Sequence, residues 1–301
     1  MPKSSDNIET KVLRELRKPG LRSAARLSYS ELAGKIGENK ESVRAAVQRA
    51  ERAMFIEKWR IILNPHAIGQ ELGGLQLDAR LDDEGKARAL AQIQLIEGVA
   101  LVMNYHGSGV RVIFYYDSET AAQRKAELMT SICNCKKEDA IRMKLVMPPS
   151  DPLRKTDWMI LGAISKNPRK RTAEIASELG LSSRTVNRLL KKLTDSRAIF
   201  LTAVRDVQRS LGLTCNYLVS CDDRAKRGIA TLLEGKRLDF AQPFAEYYPI
   251  SVFLDNIAEA EDFKKKLEKV EGVRWVRMDI LKDFIFVEGW IDEVIQRNAA
   301  V

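Results

Sequence analysis

Residues 31–57, ELAGKIGENKESVRAAVQRAERAMFIE, lie over residues 174–200, EIASELGLSSRTVNRLLKKLTDSRAIF, without a gap at an offset of 143 residues. The identities are few, at Glu31/Glu174, Ala33/Ala176, Gly37/Gly180, Val43/Val186 and Ile56/Ile199, and the shared apolar pattern carries the match. At the same offset LQLDA (75–79) falls on LVSCD (218–222), and IEGVALVMNY (96–105) on DFAQPFAEYY (239–248). Self-similarity of this extent points to one architecture built twice in 301 residues. Each half reads as a helical module followed by a strand-rich one. The expected boundaries are 1–68, 69–150, 151–212 and 213–301, with PPSDP (148–152) as the linker.

The strand-rich modules each read β, α, β, β, α, β, the order of a ferredoxin-like fold. In the first, GLQLDARL is a strand, EGKARALAQIQLI a helix, VALVMNY and VRVIFYYD a hairpin around HGSG, TAAQRKAELMTSI a helix and AIRMKLVM the last strand. NYLVSC, AKRGIATLLE, FAQPFAEY, ISVFLD, AEDFKKKLEKV and VRWVRMDIL follow in the same order in the second, with a shorter hairpin that lacks the glycines. The expected fold class is therefore α+β: two winged helix-turn-helix modules alternating with two ferredoxin-like modules.

In the second helical module, Gly180 can take the left-handed turn that ends one helix, and Ser182 can cap the next, SRTVNRLLKKL. Thr172 is the expected cap of the preceding AEIASEL. Ile175, Ala176 and Leu179 on one helix and Val186, Leu189, Leu190 and Leu193 on the other form apolar stripes, expected to pack together and on WMILGAI (158–164). Arg184, Asn187, Arg188 and Lys191 are left on the outer face, three and four residues apart, with Lys192 at its edge. A duplex major groove admits one helix; there Arg and Asn make paired bonds to base edges, while Lys and Arg elsewhere neutralise phosphates. Thr172, Ser182 and Ser183 lie at helix N-termini, where hydroxyls and free N–H groups suit phosphate oxygens, and Arg169, Lys170 and Arg171 come just before. AIFLTAVRDVQR is expected to form a two-stranded wing that brings Arg205 and Arg209 toward the DNA backbone.

The first copy departs from this pattern. Asn39, Lys40, Arg44 and Gln48 stand where the second has Ser182, Ser183, Asn187 and Lys191, all compatible with DNA, but Glu41 replaces Arg184 and Ala45 replaces Arg188. This head is expected to bind more weakly or to read a different half-site. Lys18, Arg22 and Arg26 in its longer flank either compensate through phosphate contacts or form an ordinary solvated loop. The charge is segregated to match: +6 over 1–68 and +7 over 151–212, against −1 over 69–150 and −3 over 213–301, within a net +9. A solvated helix surface needs no such segregation, whereas a polyanionic partner does.

Other classes find less support. No stretch approaches the ~18 uninterrupted apolar residues of a membrane span. The start, MPKSSDNIETKVLRELRK, lacks the apolar run and small-residue cleavage site of a secretory signal, so a cytoplasmic, nucleoid-associated protein without a membrane partner is expected. Cys133 and Cys135 form a C-x-C that matches neither a zinc pair nor a redox motif, Cys215 and Cys221 stand apart, and the chain has only two histidines, His66 and His106. No metal or cofactor is expected.

These residues resemble the Lrp/AsnC (feast/famine) family of transcription regulators. DWMILGAISKNPRKRTAEIASELGLSSRTVNRLLKKLTDSRAIF is similar to that family's N-terminal winged helix-turn-helix, and IEGVALV and VEGVRWV carry the spacing of its ferredoxin-like, RAM-type module. Members usually hold one copy of each module and dimerise through the ferredoxin-like sheets. The resemblance thus implies a covalently joined pair, an intramolecular pseudo-dimer or homodimer, acting on double-stranded DNA as a sequence-selective regulator of bacterial or archaeal type. It also implies an effector such as an amino acid at the hairpin turn, with Tyr105, His106, Gly107, Ser108 and Gly109 as candidates. The two glycines would let backbone N–H groups approach a carboxylate, although a plain flexible hairpin is the simpler reading.

Siroheme decarboxylases resemble the same family, some with two copies in one chain. Such an enzyme wants histidine and arginine along the ferredoxin-like cleft to hold an acidic tetrapyrrole. Here those modules are net acidic and offer His106 alone, so the chain is expected not to be an enzyme. An architectural DNA-coating protein would use the same basic face and stays open.

Overall fold

The computed structural model describes residues 8–17, 29–52, 56–204, 207, 212–244 and 246–300. Both strand-rich regions are ferredoxin-like and both helical regions are helix-turn-helix modules. The first ferredoxin-like unit runs β2 (Glu71–Asp78), α4 (Asp83–Ile93), β3 (Val99–Tyr105), β4 (Gly109–Tyr116), α5 (Glu119–Ile132), β5 (Ile141–Leu145). The second runs β7 (Leu213–Cys221), α9 (Asp223–Leu233), β8 (Arg237–Ala241), β9 (Tyr247–Leu254), α10 (Ile257–Glu268), β10 (Val273–Phe286). Together they form one eight-stranded sheet in the order β5-β2-β4-β3-β10-β7-β9-β8. Within it, β5-β2-β4-β3 and β10-β7-β9-β8 each place the unit's own strands in the order fourth, first, third, second.

Period-two patterning explains the layers. Val110, Val112 and Phe114 alternate along β4 and meet Ala89, Leu90 and Ile93 of α4 and Ala122, Ala126 and Met129 of α5. Cys215, Tyr217 and Val219 along β7 do the same with Ile229 of α9 and Phe263 and Leu267 of α10. β10 joins the units: Val273–Ile280 pair with β7, and after an irregularity beside Lys282 the chain continues along β3 to Phe286. At the far edges, Gln242, just past β8, donates from Nε2 to the carbonyl of Val146, just past β5, at 2.9 Å. The sheet therefore curls until its edges meet. Consistently, Gln76 of β2 lies 3.5 Å from Asp279 of β10, although β4 and β3 intervene in the sheet order.

Three features differ from the sequence expectation. First, Ile199–Val204 (β6), the first part of the expected wing, pairs antiparallel with Lys58–Leu63 (β1) of the other helical region, while 205–206 and 208–209 of that wing lie outside the described residues. A strand with one apolar edge row finds its ladder wherever one is offered, and the partner lies 136 to 146 residues away. The proposed wing arginines Arg205 and Arg209, like Lys18, Arg22 and Arg26, lie outside the described residues. Second, β8 occupies 237–241 and not FAQPFAEY, whose Pro243 cannot donate to a ladder. Third, GWIDEVIQRNA forms an unanticipated helix, α11 (Gly289–Ala299), whose Ile291, Val294 and Ile295 join the core against α6 (Lys155–Ile164).

Candidate nucleic-acid interface

The two helix-turn-helix heads start from the same local rules. In the second, α7 (Thr172–Leu179) ends at Gly180 with φ +64°, and α8 (Ser183–Asp195) begins at Ser182, whose hydroxyl accepts the Thr185 N–H at 3.1 Å. In the first, α2 (Tyr29–Ile36) ends at Gly37 with φ +71°, and α3 (Lys40–Arg52) begins at Asn39, whose Oδ1 accepts the Ser42 N–H at 2.7 Å. A left-handed turn favours glycine, and Asn or Ser at the cap satisfies a free helical donor. Thr172 is not the cap of α7: Arg171 holds that position, and the Thr172 hydroxyl donates instead to Asn187 Oδ1 at 2.9 Å.

Val186, Leu190 and Leu193 are buried beneath α8, which leaves Arg184, Asn187, Arg188 and Lys191 exposed on its outer face. Among the described residues Arg184, Arg188 and Lys191 have no acidic partner. The cations around them are committed. Lys192 Nζ bonds both carboxylate oxygens of Asp157, at 2.8 and 3.1 Å, and Asp157 is buried in α6. Lys170 pairs with Glu178, and Arg171 stands 3.9 Å from Glu174. Arg169 lies over the rings of Tyr29 and Trp59, at 5.1 and 4.8 Å, and so ties the second head to the first. Ser183 is exposed in the first turn of α8.

On α3, Lys40, Glu41 and Arg44 are exposed, while Gln48 is half-buried. Arg49, farther along, pairs with Glu9 of α1 (Ile8–Arg17) at 2.5 Å, and Lys11 of α1 pairs with Glu38 at 2.5 Å. The outer face of the first head thus carries Glu41, a carboxylate without an ion pair among the described residues, where the second carries a guanidinium.

The hairpin residues have their own commitments. Tyr105 is fully buried, its hydroxyl pushed up to about 12 by burial, and Arg111 lies 5.9 Å from its ring centre. His106 is exposed and its N–H bonds the carbonyl of Ile280. Lys86 Nζ bonds the carbonyls of Tyr105, at 2.8 Å, and Gly107, at 2.5 Å, and burial holds its pKa below the usual lysine range. Ser108 bonds the Asp78 carboxylate. A Cβ on Gly109 would come 2.8 Å from Asp279 Oδ1, so the carboxylate that this glycine lets approach belongs to the chain itself.

That carboxylate belongs to a buried group that the sequence reading missed. Arg111 Nε bonds Gln76 Oε1 at 2.8 Å, Gln76 reaches toward Asp279, and Arg277 Nε bonds both Asp279 oxygens, at 2.9 and 3.1 Å. Burial pushes the Asp279 pKa up, against the pull of Arg277. The signal available was polar residues alternating within otherwise apolar strands, as in LQLD and VRVI. His66 sits in the turn after β1, its Nε2 4.0 Å from Glu71.

The comparisons with known proteins agree on the fold. A family model described as winged helix-turn-helix DNA-binding matches residues 153–199. No curated protein matches the chain. Among solved structures, siroheme decarboxylase NirDL in co-complex with an iron-uroporphyrin III analogue is 12% identical over 98% of this chain and 99% of its own, with a TM-score of 0.57. A second structure of the same decarboxylase gives 11%, 98%, 99% and 0.56. An AsnC family transcriptional regulator from Agrobacterium tumefaciens is 15% identical over 50% of this chain and 95% of its own, with a TM-score of 0.35. The expectation that the chain is not an enzyme is overturned by the first two, since a known enzyme shares its fold from end to end. The second helical region is a winged helix-turn-helix of DNA-binding type, and among the described residues no helix is long and apolar enough to cross a membrane.

Proposed function

We propose that the chain is a sequence-selective regulator of double-stranded DNA in which a duplicated pair of modules is joined covalently as a pseudo-dimer. The single observation behind this is the selective freedom of the α8 cations. Arg184, Arg188 and Lys191 are exposed and unpaired among the described residues, whereas Arg169, Lys170 and Lys192 around them are held by aromatic rings or carboxylates. A solvated face would neutralise its charges in i,i+3 or i,i+4 pairs at little cost; an unneutralised one suits a polyanion. Asn187, with Thr172 fixing one side of its amide, is presented at the same face for a base edge. Ser182, Ser183 and Asn39 stand at helix starts beside the backbone path, and Lys40, Arg44 and Gln48 supply the weaker contacts of the first head.

Anisotropy titration of a labelled duplex over a salt series tests the reading. The expected affinity falls with salt, with a log–log slope of about −0.9 per phosphate neutralised, and a selected site outcompetes random duplex. Binding indifferent to salt overturns DNA as the partner; salt-dependent binding without preference for any sequence replaces the regulator with a coating protein. An amino-acid effector belongs to the same proposal, but at the Tyr105, His106, Gly107, Ser108 and Gly109 turn it would have to displace the Asp279 carboxylate that already faces Gly109; amino-acid addition to the titration reads whether one acts.

A second reading, a tetrapyrrole-binding enzyme, draws on the buried Arg111, whose Nη2 has no partner among the described residues. Arginine binds carboxylates in pairs of hydrogen bonds, and an acidic tetrapyrrole is rich in them. Siroheme titration followed by absorbance, with release of carbon dioxide as the second readout, decides it.

A further inference from the structure

The register of the β1–β6 ribbon, read against the 143-residue offset, says how the two heads are oriented. Lys58 faces Val204, the counterpart of Ile61, and Ile61 faces Leu201, the counterpart of Lys58. Trp59 faces Ala203, the counterpart of Arg60, and Arg60 faces Thr202, the counterpart of Trp59. Where one residue faces the counterpart of a second, the second faces the counterpart of the first, so the two strands are related as in an isologous contact about a local two-fold axis. The recognition helices α3 and α8 span equivalent residues, 40–52 and 183–195, so each head offers the same stretch of chain beside its strand of the ribbon. Arg169, seated on Tyr29 and Trp59, couples the heads across the ribbon.

Symmetry of frame meets asymmetry of chemistry. Glu41 and Arg184 are each the second residue of their helix, in the first turn that reaches base edges when such a helix enters a major groove. Both are exposed, and among the described residues Glu41 has no ion pair or side-chain hydrogen bond. A guanidinium at this point bonds the two acceptors of guanine; a carboxylate is repelled by them and accepts from the amino group of cytosine. Ala45 in place of Arg188 removes a second donor from the same face.

Resting on the DNA-binding reading above, we propose that the chain recognises an inverted repeat with unlike half-sites, in which Glu41 selects cytosine at the position where Arg184 selects guanine. The protein then lies on its site in one direction only. A two-fold pair of identical heads has no such polarity.

In-vitro selection of random duplex by the full chain, repeated with Glu41→Arg, tests this. The expected consensus has two inverted half-sites at one spacing, guanine under α8 and cytosine at the equivalent place under α3. E41R turns that cytosine to guanine and raises affinity for the symmetric site about tenfold. Thermal unfolding of E41R alongside the wild type shows that the exposed substitution leaves the fold intact, and Arg184→Ala, which erases preference in the other half-site only, assigns each half to its helix. A direct repeat, a single half-site, or a consensus unchanged by E41R overturns the inference while leaving DNA binding in place; in the last case Glu41 serves only the positive end of the α3 dipole. Absence of any salt-dependent enrichment removes the DNA-binding reading and the inference with it.

Discussion

Leu32 and Ile175 hold equivalent places in the two helix-turn-helix heads and are buried alike, but by different neighbours. Leu32 belongs to a small core with Val12, Ala33, Val43, Ala46 and Val47. Ile175 belongs to a large one that runs from α7 and α8 through α6 and α11 into the sheet, where Trp290 and Tyr115 meet at 4.9 Å. One head is thus built into the body of the molecule. The other is held, among the described residues, by a two-stranded ribbon, by α1 against β6 and β8, by the Arg169 contacts and by the pairing of Lys58 and Arg60 with Glu288 at the start of α11. The difference teaches that a repeated local frame does not fix how firmly the frame is held, because burial depends on what packs against it.

The largest expected effect tests that contrast directly. Ile175→Ala should lower the main unfolding transition by about 2–5 kcal/mol, as full truncation of a buried aliphatic does. Leu32→Ala should cost a similar amount locally, seen as faster amide exchange in α2 and α3, with the main transition little changed. Equal loss in the main transition from both variants would mean that the two heads unfold as one unit, and the contrast fails.

Binding gives the next effect. Arg184→Ala should weaken the preferred duplex by about 1–3 kcal/mol and relax selectivity, whereas Arg44→Ala on the poorer face should cost less than about 1 kcal/mol, both read by anisotropy at fixed salt. Smaller still is Arg169→Ala, at about 0.5–1 kcal/mol per ring, with a change in tryptophan emission from Trp59 and tolerance of more than one half-site spacing.

The last prediction sharpens the contrast between two places where the ferredoxin-like units meet, the β3–β10 ladder with Asp279 beside it and, among the described residues, the Gln242 bond at β8–β5. Burial raises the Asp279 pKa, so the folded state keeps the proton to higher pH than the unfolded chain. The stability that Asp279 contributes is therefore fully present below the ordinary carboxyl range and is lost as pH rises through it to the raised value. Asp279→Asn removes the decline. Urea melts at about pH 4 and pH 7 should show the variant gaining on the wild type at the higher value. Parallel curves would show that the β3–β10 join is as open to solvent as the other.

Much of this was legible in the residues. The left-handed glycines, the Ser182 and Asn39 caps and the apolar stripes under α8 depend on neighbours within four residues, and they fold as their local chemistry dictates. The second β strand of the later unit was misplaced because FAQPFAEY has strand composition while Pro243 forbids a ladder there. Asp157, an acid three residues after a helix start, is locally only the mark of that start; that it also holds Lys192, 35 residues on, depends on the packing of α6 against α8. The Gln76–Arg111–Asp279 group was invisible as a group: its members come from three strands and from both halves, and nothing local brings Gln76 to Asp279.

By itself the sequence determined the doubled frame, the helix boundaries that fall at the same offset in both heads, and the cationic outer face of α8. These follow from period, caps and charge, which act over a few residues. Tertiary structure alone decided which strand each wing pairs with, which cations stay free, and that the acid facing Gly109 comes from the other half of the chain. Ladder partners, ion pairs and buried carboxylates are chosen by proximity in space, and only closure of the curled sheet and its docked helices creates that proximity.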